Sequence, residues 1–334
     1  MTVTIGRREL LAALGGAAAA WPRAARAQQS ERVRRIGVLM AYAENDLQAQ
    51  AQVAAFREAL QGLGWTDGRN IRFDFRWAAL DAETMERFAK ELIGLKPDLI
   101  LSQTTPSTAV LLQHTHTIPI IFGIASDPIG SGFVASLARP GGNSTGFATA
   151  EGSLGGKWLE VLKEAAPRIT RVAGMFNPAQ APYAEIYLNP FKAAAQSFDV
   201  EARVAPVKDT SEIESVVAEL ARTPNGGLVV MPDGFTLSHR GEIVSLTARY
   251  RLPAVYAFRF FTEVGGLLSY GEDLTDNFRR AATYADRILK GEKPSELPVE
   301  YPVRYYLTIN LKTAKTLGLD VPAQLQQRAD EVIE

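Results

Sequence analysis

The stretch "LIGLKPDLILSQTTPSTAVLLQ", residues 92–113, decides how the chain reads. Its apolar run, Leu99 to Leu101, stops at Ser102 and Gln103, and Thr104, Thr105 and Pro106 follow at once. A short continuous apolar run bounded by polar residues is the pattern of a buried strand. Proline suits the first turn of a helix, because the N–H it lacks would have had no intrahelical partner there. The segment therefore predicts a strand over 98–101, a loop, and a helix from Pro106. One hydroxyl would cap that helix, yet Thr104, Thr105, Ser107 and Thr108 supply four. Hydroxyls beside free N–H groups at the positive end of a helix dipole suit a carboxylate or other anion.

The same unit recurs outward in both directions. Strands are predicted at 35–41 ("RIGVLMA"), 70–78 ("NIRFDFRWA") and 118–124 ("IPIIFGI"), with helices at 46–63 and 82–95 between them. The pattern pauses over the Gly-, Pro- and Asn-rich "ARPGGNSTGFAT" (138–149) and restarts with a helix at 156–166. Strands at 171–176, 201–207, 226–232 and 253–258 then alternate with helices at 183–198, 212–222 and 237–250. Alternation at this period argues for mainly parallel sheets covered on both faces, here in two similar halves. A strand at 267–271, a helix at 274–289, a Pro-rich stretch and a strand with a short helix at 305–322 complete the chain. That tail is too small for a third domain, so it is expected to pack on the first two and leave a cleft between them. Open α/β sheets place ligands beyond the carboxyl ends of their strands.

Composition narrows the chemistry. With 334 residues, 46% of them apolar, the chain can bury a large core. Lys and Arg number 36 against 37 Asp and Glu, so no basic surplus exists to neutralise a nucleic acid backbone. Cysteine is absent, which excludes disulfides, thiolate nucleophiles and Cys-bound zinc. The first 27 residues read as a signal peptide: Arg7-Arg8, an Ala-rich apolar run to Trp21, and Ala25-Arg26-Ala27 at the cleavage position. The run is shorter than the ~20 apolar residues of a bilayer span. The Gly-Arg-Arg-Glu-Leu-Leu stretch and the arginines near the cleavage site point to the twin-arginine route, with cleavage after Ala27 and a periplasmic destination.

Motifs for catalysis fail one by one. "GVLMAYAEND" has no glycine-rich turn after the first strand, which disfavours a nicotinamide or flavin cofactor. "GSLGGKW" (152–158) lacks the first glycine and the final Ser or Thr of a phosphate loop and reads as a helix start. His114 and His116 are two apart at a helix end and do not converge on a metal. His239 reads as a solvated helix residue, and "GGLLSYG" is not a nucleophile elbow. No cofactor and no metal are expected.

What remains is polar and aromatic loops at six strand ends. They offer Tyr42 and Glu44 after the first strand, Gln103, Thr104, Thr105 and Ser107 after the third, and Ser126 and Asp127 after the fourth. From the second half come Asn177 and Tyr183 in "FNPAQAPY", Asp233, Phe235 and Thr236 in "PDGFT", and Phe258 and Arg259 in "AFRFF". Facing one another across a cleft, Tyr42, Phe235 and Phe258 would be apolar walls. Thr104, Thr105 and Ser107 would be the anion contacts, and Asp127, Asp233 or Arg259 the orienting charges.

The segments "RRIGVLMAY", "FREALQGLGWTDGRNI", "DPIGSGFVASLARPGGNSTGF", "KWLEVLKEAAP", "AVYAFRFFTEVGGLLSYGEDL" and "INLKTAKTLGLDVP" together resemble the ABC-transporter substrate-binding proteins of the tryptophan/tyrosine-binding type. The resemblance covers nearly the whole chain after the leader. It implies an α/β type I periplasmic binding protein: two Rossmann-like lobes joined by hinge crossings, closing on a small carboxylate-bearing organic solute such as an amino acid or aromatic carboxylate. The lobes are expected at 28–147 plus 265–298 and at 148–264 plus 299–334. It also implies that Thr105-Pro106 receives a ligand carboxylate. The family's Asp-Asn pair falls in the second-lobe loop that here reads Asp233-Gly234-Phe235-Thr236, with the acid displaced and no Asn. A monomer serving an ABC permease in the inner membrane, without enzymatic turnover, is the expected role. A periplasmic sensory module for a membrane receptor shares the same fold, and an exported α/β enzyme would need a nucleophile that the chain does not display.

Overall fold

The computed structural model describes residues 32–149 and 151–334. The signal-peptide reading over 1–27, its cleavage after Ala27 and its twin-arginine pair lie outside the described residues. Two sheets organise the rest. The first has five parallel strands in the order β2-β1-β3-β4-β5: β1 Arg34–Met40, β2 Ile71–Trp77, β3 Leu99–Ser102, β4 Ile120–Ala125 and β5 Ser144–Ala148. The second runs β12-β11-β10-β9-β8-β6-β7: β6 Arg171–Phe176, β7 Glu201–Pro206, β8 Gly226–Val230, β9 Ala254–Tyr256, β10 Leu268–Gly271, β11 Tyr306–Asn310 and β12 Glu331–Ile333. Its pairs are parallel except β10 with β11.

Successive strand residues point to opposite faces, and helices cover both. On one face of the first sheet Leu39, Ile100 and Ile120 meet Met85 and Leu92 of α2 (Ala82–Gly94) and Leu111 of α3 (Thr105–His114). On the other face α1 (Leu47–Gly62) brings Phe56 and Leu60 against Ile36 and Val38. Each such apolar side chain contributes about 1.5–3 kcal/mol when fully buried. The second lobe repeats the scheme with α4 (Leu154–Ala165), α5 (Glu185–Ser197), α6 (Thr210–Ala221), α7 (Gly234–Ser238), α8 (Arg240–Arg249) and α9 (Phe260–Glu263).

Three crossings join the lobes. The chain leaves β5 for α4 and returns after β10 as α10 (Leu274–Leu289), which lies against α1 and β4. Gly123 of β4 lets it settle, since a Cβ there would be 2.7 Å from the Phe278 ring. The chain crosses a last time after Glu300 to β11, α11 (Leu311–Leu317), α12 (Ala323–Arg328) and β12. The type I architecture of two α/β lobes is thus present.

Four details differ from the sequence expectation. The pause at 138–149 contains β5, fully buried between β4 and the backbone of Glu300, which accepts from Ala148 N and donates to Gly146 O. The lobe boundary at 265 moves past 271, because β10 pairs with β9 and β11 in the second sheet. Likewise Val299 and Glu300 hydrogen-bond to the first lobe, to Leu137 O and Gly146 O. The helix expected over 237–250 is two helices, α7 and α8, broken at His239.

Among the described residues, no helix is long and apolar enough to cross a membrane.

Candidate functional site

Both sheets share one strand order. β2-β1-β3-β4-β5 in the first lobe matches β7-β6-β8-β9-β10 in the second. In each, the connections turn to opposite sides at the strand pair β1/β3 or β6/β8, and the crevice beyond such a switch point is where open α/β sheets hold ligands. The two switch points face each other. They enclose a cavity of about 20 Å³ lined by Tyr42, Thr104, Thr105, Ser126, Gln180 and Asp233 among others.

The first-lobe wall is the β3–α3 turn. Ser102, Ser107 and Thr108 turn inward: Ser102 Oγ lies 2.8 Å from Ser107 Oγ and 2.9 Å from Thr108 Oγ1, and both of those hydroxyls donate to Thr104 O at 2.9 Å. Ser107 Oγ also accepts from Thr104 N at 2.9 Å. Three of the hydroxyls thus knot strand to helix. Thr104 and Thr105 are left on the cleft side, where Thr105 Oγ1 accepts from Ser126 N at 2.9 Å. Pro106 occupies the second helical position, so this wall combines the positive end of α3 with two hydroxyls.

The opposite wall is the β8–α7 turn. Asp233 caps α7, its Oδ1 accepting from Thr236 N at 2.7 Å and its Oδ2 from Asn177 N at 2.9 Å. Burial pushes its carboxyl up to about 7, outweighing the hydrogen bonds from Thr236 and Asn177 that favour the charged form. Tyr183 donates to Pro232 O at 3.1 Å, and its phenol is held well above the usual range by burial. Tyr42 is raised by burial first and then by the charges of Asp233 and Asp46. At the hinge, Ser126 Oγ is 2.7 Å from Thr149 Oγ1, and burial holds the Tyr187 phenol of α5 above its usual range.

Of the residues expected from sequence, Tyr42, Thr104, Thr105, Ser126, Tyr183, Asp233 and Phe258 meet at this cleft. Eight do not line it. Gln103 is spent on scaffolding: its Oε1 accepts from Ala41 N and Tyr42 N, and its Nε2 donates to Gln52 at 2.7 Å. Ser107 belongs to the hydroxyl knot, Asn177 Oδ1 caps its own loop at Ala179 N and Gln180 N, and Thr236 Oγ1 donates to Met231 O. Asp127 stands in a left-handed turn (φ 47°) and accepts from Gly130 N. Glu44 is exposed, and the Phe235 ring packs on His239. Arg259 is half-exposed and pairs with Glu331 at 2.7 Å in a separate groove that runs past Glu263 and Asp330. Sequence reading passes over Ile124, Thr149, Gln180, Gly234 and Leu274. Gln180 lies inside the loop "FNPAQAPY", whereas Thr149 is hidden when β5 is taken for a pause.

Relatives bear on this geometry. A family described as ABC transporter substrate binding protein matches residues 36–333. A "Tyrosine-binding protein" of Clostridioides difficile is 26% identical over 264 residues, covering 79% of this chain and 75% of that one. The structure of an ABC domain in complex with L-Trp from Streptococcus pneumonia is 25% identical, covers 90% of this chain and 99% of its own, and superposes with a TM-score of 0.82. A ligand-free, open substrate-binding protein with adhesive properties from Clostridium difficile, also 25% identical over 90% of this chain and 99% of its own, gives 0.67. Solute binding rather than turnover is the family's business, and across 36–333 this chain belongs to the ABC transporter substrate-binding proteins.

Proposed function

We propose that the chain captures an amino acid as its zwitterion and hands it to an ABC permease for import. One observation carries the reading: the two switch points present opposite chemistry across one cleft. The α3 turn with Thr104 and Thr105 offers hydroxyls and a helix N-terminus to a carboxylate. The Asp233 carboxylate, already holding two backbone N–H groups, has lone pairs left for an ammonium. Tyr42, Phe258 and Ile124 supply the apolar wall beside them. The relatives named for tyrosine and bound to L-Trp support an aromatic side chain.

In this reading the leader over 1–27 is cleaved after Ala27 following twin-arginine export, and the monomer works in the periplasm. Its first lobe comprises 32–149 and 274–300, its second 151–271 and 305–334. Arg259 is left out of the binding set. The test is a thermal-shift screen across the amino acids, their amines and their deaminated acids. A ligand at a hundred times its dissociation constant stabilises by about 2.7 kcal/mol. Shifts confined to amino acids support the reading; shifts with amines alone or acids alone contradict it.

A further inference from the structure

Leu80 and Gly234 make a contact between the lobes that nothing in the binding set requires. Ala79 and Leu80, in the β2–α2 connection, both adopt left-handed backbone (φ 51° and 62°), a conformation that side-chain-bearing residues seldom take twice in succession. The pair is pinned to the first lobe, Leu80 N donating to Ala41 O at 2.6 Å and Ala79 N to Tyr42 O at 3.4 Å. The resulting knuckle projects into the second lobe. Gln180 Nε2 donates to Leu80 O at 3.4 Å. At Gly234, the first residue of α7, a Cβ would lie 3.0 Å from Leu80 Cδ2 and 3.1 Å from Tyr42 Cε1. Lobe 1 thus rests on bare backbone, at a distance that a side chain would deny it. Unusual backbone of this kind is kept where the surroundings hold it for a purpose.

We propose that the Leu80 knuckle seated on Gly234 is the stop that sets how far the lobes close, and so selects the solute by bulk. The inference rests on the amino-acid reading above only for the class of solute, not for the seat. A glycine at 234 lets Tyr42 close down beside Asp233, and the Leu80 side chain takes up the space next to the Tyr42 ring. Truncating Leu80 frees that space for a larger solute; enlarging residue 234 wedges the lobes apart for every solute.

Two measurements test this on the full chain. With no native cysteine, the pair Leu80→Cys with Gly234→Cys is expected to oxidise to an intramolecular disulfide under copper phenanthroline. It should do so at least tenfold faster than Leu80→Cys with Gly241→Cys, because a Cβ at Gly241 would meet nothing within 4 Å. Equal rates overturn the seat. In calorimetry with L-alanine and L-tryptophan as probes, Leu80→Ala is expected to shift the ratio of dissociation constants toward L-tryptophan by about tenfold, while Gly234→Leu weakens both. An unchanged ratio overturns the selection by bulk. Fast cross-linking of the 80/234 cysteine pair, together with a wild type that binds neither probe, supports the seat and counts against the amino-acid reading.

Discussion

The β3–α3 turn and the β8–α7 turn occupy the same place in two lobes of the same strand order, and they solve the same problem with opposite chemistry. Each must satisfy the first N–H groups of a helix. The first lobe uses neutral hydroxyls: Ser107 answers Thr104 N, Ser102 and Thr108 brace it, and Thr104 and Thr105 remain at the cleft. The second lobe uses one carboxylate, Asp233, which answers both Thr236 N and Asn177 N. The caps are interchangeable as structure. They are not interchangeable to a ligand, because one leaves a positive helix end and the other a negative charge.

Asp233→Asn should break the comparison most. It removes the charge, and because an amide nitrogen cannot accept, either Thr236 N or Asn177 N also loses its acceptor. An amino acid that binds the wild type should lose about a hundredfold in affinity by calorimetry, in line with the removal of one partner of a buried charge pair. Retained affinity would return Asp233 to a purely capping role.

The pH dependence follows with a definite sign. Asp233 sits at about 7 in the folded chain against a usual 3.8. Between those values the folded protein holds a proton that the unfolded chain has released. Its contribution to stability is therefore complete below 3.8 and lost as pH rises through 7. Binding of an ammonium needs the charged form, so affinity should rise up to about tenfold per unit as pH climbs toward 7 and level off above it. Titrations at about pH 5.5, 6.5 and 8 check this, and Asp233→Asn should flatten both trends.

Thr105→Val comes next. Losing the acceptor for Ser126 N leaves a buried donor unpaired, at a cost of about 1–3 kcal/mol in denaturant unfolding. Binding of amino acids should weaken by about tenfold, as for one hydrogen bond to a charged group, while any residual binding of amines lacking the carboxylate should not change. Arg259→Ala has the smallest expected effect, within about twofold on affinity, because exposed ion pairs contribute little and this one faces Glu331 outside the cleft.

Much of this was legible in the residues. The apolar runs and their helical partners marked out two α/β halves, and each of the six loops carried at least one residue that lines the cleft. What escaped depends on partners remote in sequence. "STGFA" (144–148) has no long apolar run and includes Gly146 at φ 148°, yet it is a strand because β4 and Glu300 enclose it. Gln103 reads as a ligand contact until Gln52, 51 residues away, is found bonded to it. Arg259 reads as an orienting charge until Glu331, 72 residues on, takes it. Loop composition tells which residues can bind; only the fold tells which have already done so.

The central claim, that the two turns read the two ends of one zwitterion, is tested most directly by calorimetry of L-tyrosine, tyramine and 3-(4-hydroxyphenyl)propanoate against the wild type and Asp233→Asn. The account predicts that L-tyrosine binds the wild type at least a hundredfold more tightly than either single-charge analogue, and that Asp233→Asn abolishes its advantage over the acid while leaving the acid's own affinity unchanged. Equal binding of all three, or an advantage over the acid that survives Asp233→Asn, would contradict it.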